Sequence, residues 1–234
     1  MTFINKTLII FVLLISFISQ SFGQGEVEYK MELGGMLGGC FYMGDANYTV
    51  PFKNLGIAGG AVARYIFNPR MAIKADLAVG RISGNTQDFK NVYPEQQQTS
   101  FKRCVYDLGA QFEYNFFGYG NGQGYKGSKR FTPYVLGGFG FTFAPAPAKG
   151  VFTVNFPIGI GVKYKIAKRL NIGCEFTMRF SLSDQLDVTN KDGLQLEDPY
   201  GIKSGGFKNK DSYSFTMIFL TYDLFPKYRK CNNL

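Results

Sequence analysis

The sequence predicts an all-β fold: an eight-stranded antiparallel up-and-down transmembrane β-barrel with short periplasmic turns and longer extracellular loops. Three observations carry this. The chain of 234 residues holds 24 Phe, 15 Tyr, 29 Gly and no Trp, a glycine share well above the usual ~7% that argues against long helices. Apolar and polar residues alternate with a period of two along eight segments, which is strand periodicity. The connections between those segments alternate long and short.

The first predicted strand runs from Glu28 to Met43, where Tyr29, Met31, Leu33, Leu37, Phe41 and Met43 share one parity and Glu28, Lys30 and Glu32 the other. From Leu55 to Phe67, Leu55, Ile57, Ala61, Tyr65 and Phe67 oppose Gly60 and Arg64, and Asn68-Pro69-Arg70 then makes a tight turn. Met71, Ile73, Ala75, Leu77 and Val79 follow against Lys74 and Asp76. The fourth strand has the cleanest two faces: Cys104, Tyr106, Leu108, Ala110, Phe112, Tyr114 and Phe116 oppose Arg103, Asp107, Gln111, Glu113 and Asn115.

Val135, Phe139 and Phe141 mark a strand from Phe131 to Phe143, and Val154, Phe156, Ile158, Ile160 and Val162 mark one from Phe152 to Tyr164, with Asn155 and Lys163 opposite. In the seventh, Leu170, Ile172, Cys174, Phe176, Met178 and Phe180 oppose Asn171, Glu175, Thr177 and Arg179. The eighth spans roughly Ser212 to Phe225. There Ser214 and Thr216 share a face with Leu220 and Tyr222, which implies a bulge or a different register.

Every strand reaches the ~9–11 residues that cross a bilayer when tilted. Loops 44–54, 83–100, 144–150 and 182–211 have 11, 18, 7 and 30 residues, against 3, 13 and 4 for turns 68–70, 118–130 and 165–168. A soluble barrel would turn the same apolar face inward, and parity leaves both arrangements open. Aromatic abundance, strand length and an export leader favour the membrane.

That leader is an apolar run after Lys6, from Thr7 to Ile18, too short to span a bilayer as a helix, with Ser21 and Gly23 as the small residues before a cleavage point. The expected organisation is a signal peptide at 1–23, a barrel at 24–225 and a basic periplasmic tail at 226–234, with both termini periplasmic. No Cys follows the cut, so no lipid anchor is expected. Cys40, Cys104, Cys174 and Cys231 lie far apart without a CxxC pattern and read as single buried thiols.

An eight-stranded lumen holds side chains and little else. Arg64, Lys74, Arg103, Lys163 and Arg179 would therefore meet Asp76, Asp107, Glu113 and Glu175 in a lumenal salt-bridge network, because an unpaired buried charge costs several kcal/mol. Near balance disfavours a channel. The chain has no His, which removes His-dependent triads, His-containing zinc sites and histidine acid/base chemistry. We expect no catalytic site, no cofactor and no metal. The Gly118 to Lys129 segment has the glycine spacing of a phosphate loop at Gly122 and Gly127, but Ser128 precedes Lys129 and no helix follows, so it reads as a flexible turn.

The net charge of +9 is polarised. Arg70, Lys126, Lys129, Arg130, Lys165, Lys168 and Arg169 fall in the predicted periplasmic turns and Lys227, Arg229 and Lys230 in the tail, segments without an acid. This basic face suits either anionic headgroups or a protein partner. Nucleic acid is excluded by location, and no small-molecule substrate is expected.

Gly34 to Asp45, Arg64 to Arg70 and Gly80 to Gly84, with Thr132-Pro133-Tyr134, Phe156 to Tyr164, Asn171-Ile172-Gly173 and Ser183 to Val188, resemble in order and spacing the PorG-like outer-membrane barrel family of Bacteroidota. The resemblance implies a component of the type IX protein secretion machinery. Its implied partners are outer-membrane lipid and a periplasmic ring formed by a lipoprotein and its partner protein. The rival readings are a general surface barrel that binds a ligand through its last loop, a lipid-modifying or proteolytic barrel, and a small-solute pore.

Overall fold

In the computed structural model the described residues are 28–44, 52, 54–85, 100–121, 128–145, 150–183, 185–186 and 210–227. They form eight strands: β1 (Glu28–Met43), β2 (Gly56–Asn68), β3 (Met71–Asn85), β4 (Ser100–Asn115), β5 (Phe131–Ala144), β6 (Val151–Lys165), β7 (Leu170–Ser181) and β8 (Ser212–Lys227). Each pairs antiparallel with its sequence neighbours, and β1 pairs with β8 to close the ring. The expected leader at 1–23 lies outside the described residues, and β8 continues two residues past the expected barrel end at Phe225.

The register fixes the shape. The partners Met31, Tyr65, Ile73, Phe112, Gly137, Ile158, Met178 and Ser214 lead round the ring to Phe41, ten residues along β1 from the start. With ~3.3 Å per residue and ~4.8 Å between strands, that stagger tilts the strands by roughly 40°. The 12 residues of the shortest strand, β7, then span about 30 Å, the thickness of a hydrocarbon core.

The two faces answer the question that parity left open. Charged side chains such as Arg64, Lys74, Asp76, Asp107, Glu113 and Arg179 are buried inside, whereas Leu37, Ile57, Leu77, Leu108, Phe139, Ile158, Ile160 and Ile218 stand exposed on the outside. Tyr65, Phe67, Tyr114, Phe116, Phe131, Tyr164 and Tyr222 ring the end of the short turns, and Tyr106, Phe141, Phe143, Phe152 and Phe180 ring the other. An apolar band between two aromatic girdles is a lipid-facing exterior.

β8 departs from expectation. Its pairing with β1 keeps one register from Ser212 to Leu224, without a bulge. Ser214 and Thr216 point outward with Ile218 and Leu220, while Tyr213, Phe215, Met217 and Phe219 fill the lumen. The pattern inverts because Phe41 and Phe176, the cross-strand partners of Ser214 and Thr216, roof these hydroxyls together with Phe52. The Phe41 ring lies 4.9 Å from Phe52 and 6.4 Å from Phe176, and Phe41 is fully buried although it faces outward. Neither hydroxyl has a hydrogen-bond partner among the described residues. The local irregularity of β8 sits instead at Phe225, whose φ of 56° precedes Pro226.

The three described cysteines are free. Cys40 is buried on the lumenal side, but Cys104 is half-buried and Cys174 exposed, both on the outward face. The expectation of buried thiols therefore fails for Cys174, because apolar parity in this barrel means contact with lipid. Cys231 lies outside the described residues.

Candidate functional site

Inside the barrel the charges gather in three groups. Arg64 on β2 is directly opposite Lys74 on β3, a repulsive pairing unless acids reach it from elsewhere in the ring. They do. Arg64 Nε donates to Glu113 at 2.7 Å, its NH1 to Glu32 at 3.4 Å, and its NH2 stands 3.8 Å from Glu175. Lys74 pairs with Glu175 and Lys163 with Glu113 at 3.1 Å. Tyr134 donates to Glu175 at 2.7 Å, Thr221 to Glu32 at 3.2 Å, and the Arg64 guanidinium lies over the Phe219 ring at 4.2 Å.

The second group centres on Arg179, which binds Asp76 at 2.5 Å through NH2 and Asp107 through NH1. Gln111 also donates to Asp76, and Asp107 receives Tyr213, Asn155 at 2.7 Å and Thr142 at 3.4 Å. The guanidinium rests 4.9 Å from the Phe215 ring. Gly109 makes the room: a Cβ there would stand 2.7 Å from Asp76 Oδ1 and 3.3 Å from Arg179 NH1.

The third group closes the short-turn end. Lys165 pairs with Asp223 at 2.5 Å, Asn171 donates to Asp223 at 2.6 Å, and Tyr119 donates to Asn171 at 2.8 Å. The Tyr119 ring lies 5.1 Å from Lys163 Nζ and 5.3 Å from Lys165 Nζ. Burial near Glu32 and Asp223 holds its hydroxyl well above the usual tyrosine range, so it is a neutral donor. The described base of the 118–130 turn is thereby tied down, with Tyr119 N bonded to Pro69 O and Lys129 N to Gly118 O. A side chain of the turn is thus anchored in the lumen. Residues 122–127 lie outside the described residues.

One of the sequence expectations needs correction. Lys165 belongs to the interior rather than the basic rim, since it continues the inward parity of Lys163 and is 6% exposed. Arg103 is buried inside as expected, and its guanidinium donates to the carbonyls of Ala144 at 3.0 Å and Gln185 at 2.9 Å, holding two of the long-loop segments. Glu32 and Asp223 join the four lumenal acids expected from the sequence. Their inward parity on β1 and β8 was the available signal.

At the rim of short turns Arg70, Lys129, Arg130, Lys168 and Arg169 are exposed. Lys129 lies over Phe117 at 4.4 Å, Arg130 donates to Asn121 O at 2.9 Å, and Arg169 donates to Tyr29 at 2.9 Å and to Tyr222 at 3.4 Å. These contacts hold the side chains while leaving their charge in solvent. Lys126, Arg229 and Lys230 lie outside the described residues, as does the side chain of Lys227, whose backbone pairs with Glu28.

The opposite end is capped by the base of the 182–211 loop. Leu186 is fully buried, its N–H donates to Asp211 at 2.8 Å, and Asp211 also receives Tyr42. Among the described residues no group of acids and cysteines is arranged to hold a metal ion. The buried carboxylates are bonded to cations and to neutral donors from several strands, an arrangement that fixes strands against one another.

A family model described as "Domain of unknown function (DUF6089)" matches residues 6–233. No curated protein matches the chain. Among solved structures the chain is similar to the N-terminal β-barrel domain of Pseudomonas aeruginosa OprF, at 10% identity over 85% of this chain and 100% of that one, with a TM-score of 0.45. It is similar also to Neisserial surface protein A, at 12% identity over 83% and 97% with a TM-score of 0.48. Ail, the attachment invasion locus protein of Yersinia pestis, matches at 11% identity over 86% and 100% with a TM-score of 0.43. At these values the likeness adds nothing to what the pairing of the strands establishes.

Proposed function

The chain belongs to the DUF6089 family, and from that premise we propose that it is a non-enzymatic outer-membrane barrel that positions a periplasmic ring complex of the type IX secretion machinery. The observation that carries this is the set of exposed cations Arg70, Lys129, Arg130, Lys168 and Arg169 on the short-turn rim. This rim is taken as periplasmic because short turns face that side in such barrels. Its partner is an acidic face of a ring protein, attracted through complementary potential. The lumenal ion pairs make the barrel a rigid peg rather than a conduit. The resemblance of Gly34 to Asp45 and of Arg64 to Arg70 to the PorG-like family supplies the secretion assignment.

The test is a crosslinking pull-down from native membranes with photo-reactive residues in the 118–130 turn and after Lys227, beside a strain carrying Lys126→Glu, Lys129→Glu and Arg130→Glu. Recovery of a periplasmic ring protein, lost on charge reversal together with cargo delivery to the surface, is the expected result. Recovery of lipid alone with secretion intact overturns it. One observation favours a second reading, a general ligand-binding surface barrel: Leu186 and Asp211 seat the base of the 30-residue last loop on the barrel end.

A further inference from the structure

The outward face of the strands carries charge at one place. Among the described strand residues, the charged side chains on the outward parity are Arg81 of β3 and Lys102 of β4, and both are exposed. Arg81 is paired with Cys104 and Lys102 with Ser83, so the two cations are diagonal neighbours on adjacent strands, ~7–8 Å apart at the backbone. Neither is bonded to an acid among the described residues.

Their height follows from cost. An outward Arg or Lys is costly at the bilayer midplane and nearly free of cost near the interface. Arg81 and Lys102 lie on the long-loop side of Tyr106, whose ring is 6.4 Å from that of Phe143 in the aromatic girdle. They therefore stand where lipid headgroups begin. Below them Val79 and Leu77 continue the outward face of β3 into the apolar band.

We propose that Arg81 and Lys102 clamp the phosphate of an outer-leaflet glycolipid, whose acyl chains lie against the apolar wall below them. A guanidinium offers a phosphate two parallel N–H donors, and the ammonium adds a point charge on its other side. Charge complementarity selects a phosphorylated headgroup, and the place of the two cations on the lipid-facing wall selects a lipid rather than a soluble anion. A phosphorylated glycolipid is the committed source because such lipids form the outer leaflet of a bacterial outer membrane. The assignment rests on the orientation given above, with the long loops outside.

Native mass spectrometry of the folded full-length barrel in detergent tests it, using lipid A, enzymatically dephosphorylated lipid A and phosphatidylglycerol at equal concentration. The wild type should retain lipid A at least tenfold more than either comparison lipid, and Arg81→Gln/Lys102→Gln should lose that preference while keeping the gel mobility of a folded barrel. Equal retention of the two lipid A forms overturns the phosphate clamp, and this comparison needs no variant. Equal retention of phosphatidylglycerol overturns the glycolipid, and an undiminished preference in the double variant overturns the residues. Orientation is read separately, by antibody labelling of an epitope in the 182–211 loop on intact cells. Labelling only after permeabilisation refutes the orientation and with it the outer-leaflet assignment, whatever lipid the barrel retains in detergent.

Discussion

Arg64 and Arg179 are both fully buried arginines stacked on a phenylalanine of β8, yet they sit in differently built surroundings. Around Arg64 are three carboxylates, Glu32, Glu113 and Glu175, and two further cations, Lys74 and Lys163. Around Arg179 are Asp76 and Asp107 with neutral donors, and it is the one cation bonded to either aspartate among the described residues. The first group shares its charge among six side chains from six strands. The second converges on one guanidinium, so the same residue type carries different consequences at the two levels of the lumen.

Arg179→Met should have the largest effect, because it leaves Asp76 and Asp107 buried without a cation. We expect a loss of about 3–5 kcal/mol. As the chain has no Trp, far-UV circular dichroism and gel mobility over a urea series are the readouts in lipid vesicles. An unfolding midpoint equal to that of the wild type would contradict the description of the Arg179 group. Arg64→Met should cost less, about 2–3 kcal/mol, since Lys74 and Lys163 still hold Glu175 and Glu113 and one carboxylate, Glu32, rather than two is left without a cation. If the two variants rank the other way in the same titration, shared charge is not what protects the Arg64 group. The smallest effect is expected for the platforms. Phe215→Leu and Phe219→Leu each remove a cation–π contact worth about 1 kcal/mol, and the loss should be greater for Phe219, where the guanidinium lies 4.2 Å from the ring against 4.9 Å.

Much of this architecture is legible as alternation. β1 begins and ends where the pattern of Glu28 to Met43 does, and the inward placement of Arg64, Lys74, Asp76, Asp107, Glu113 and Arg179 follows from parity on strands with one apolar and one polar face. Local pattern fails where a residue's environment is made by a distant strand. Lys165 sits beside a turn in sequence but pairs with Asp223, 58 residues away. Ser214 and Thr216 break the pattern of β8 because Phe41 and Phe176 come from its two neighbours. Tyr119 belongs to a glycine-rich turn whose composition gives no hint of a side chain reaching Asn171. The five exposed rim cations are readable as a charge excess, whereas their fixation by Phe117, Asn121, Tyr29 and Tyr222 is not.

The seam between β1 and β8 has a kinetic consequence. Glu32 receives Thr221 from 189 residues further along, and Tyr42 reaches Asp211 across 169. Contacts of such sequence separation must await the end of the chain, and topologies dominated by them fold slowly. Before closure, β1 and β8 each present an unpaired edge that invites aggregation. Ring closure, which waits for the last strand, is therefore expected to be the slow step of folding and the one that removes both edges.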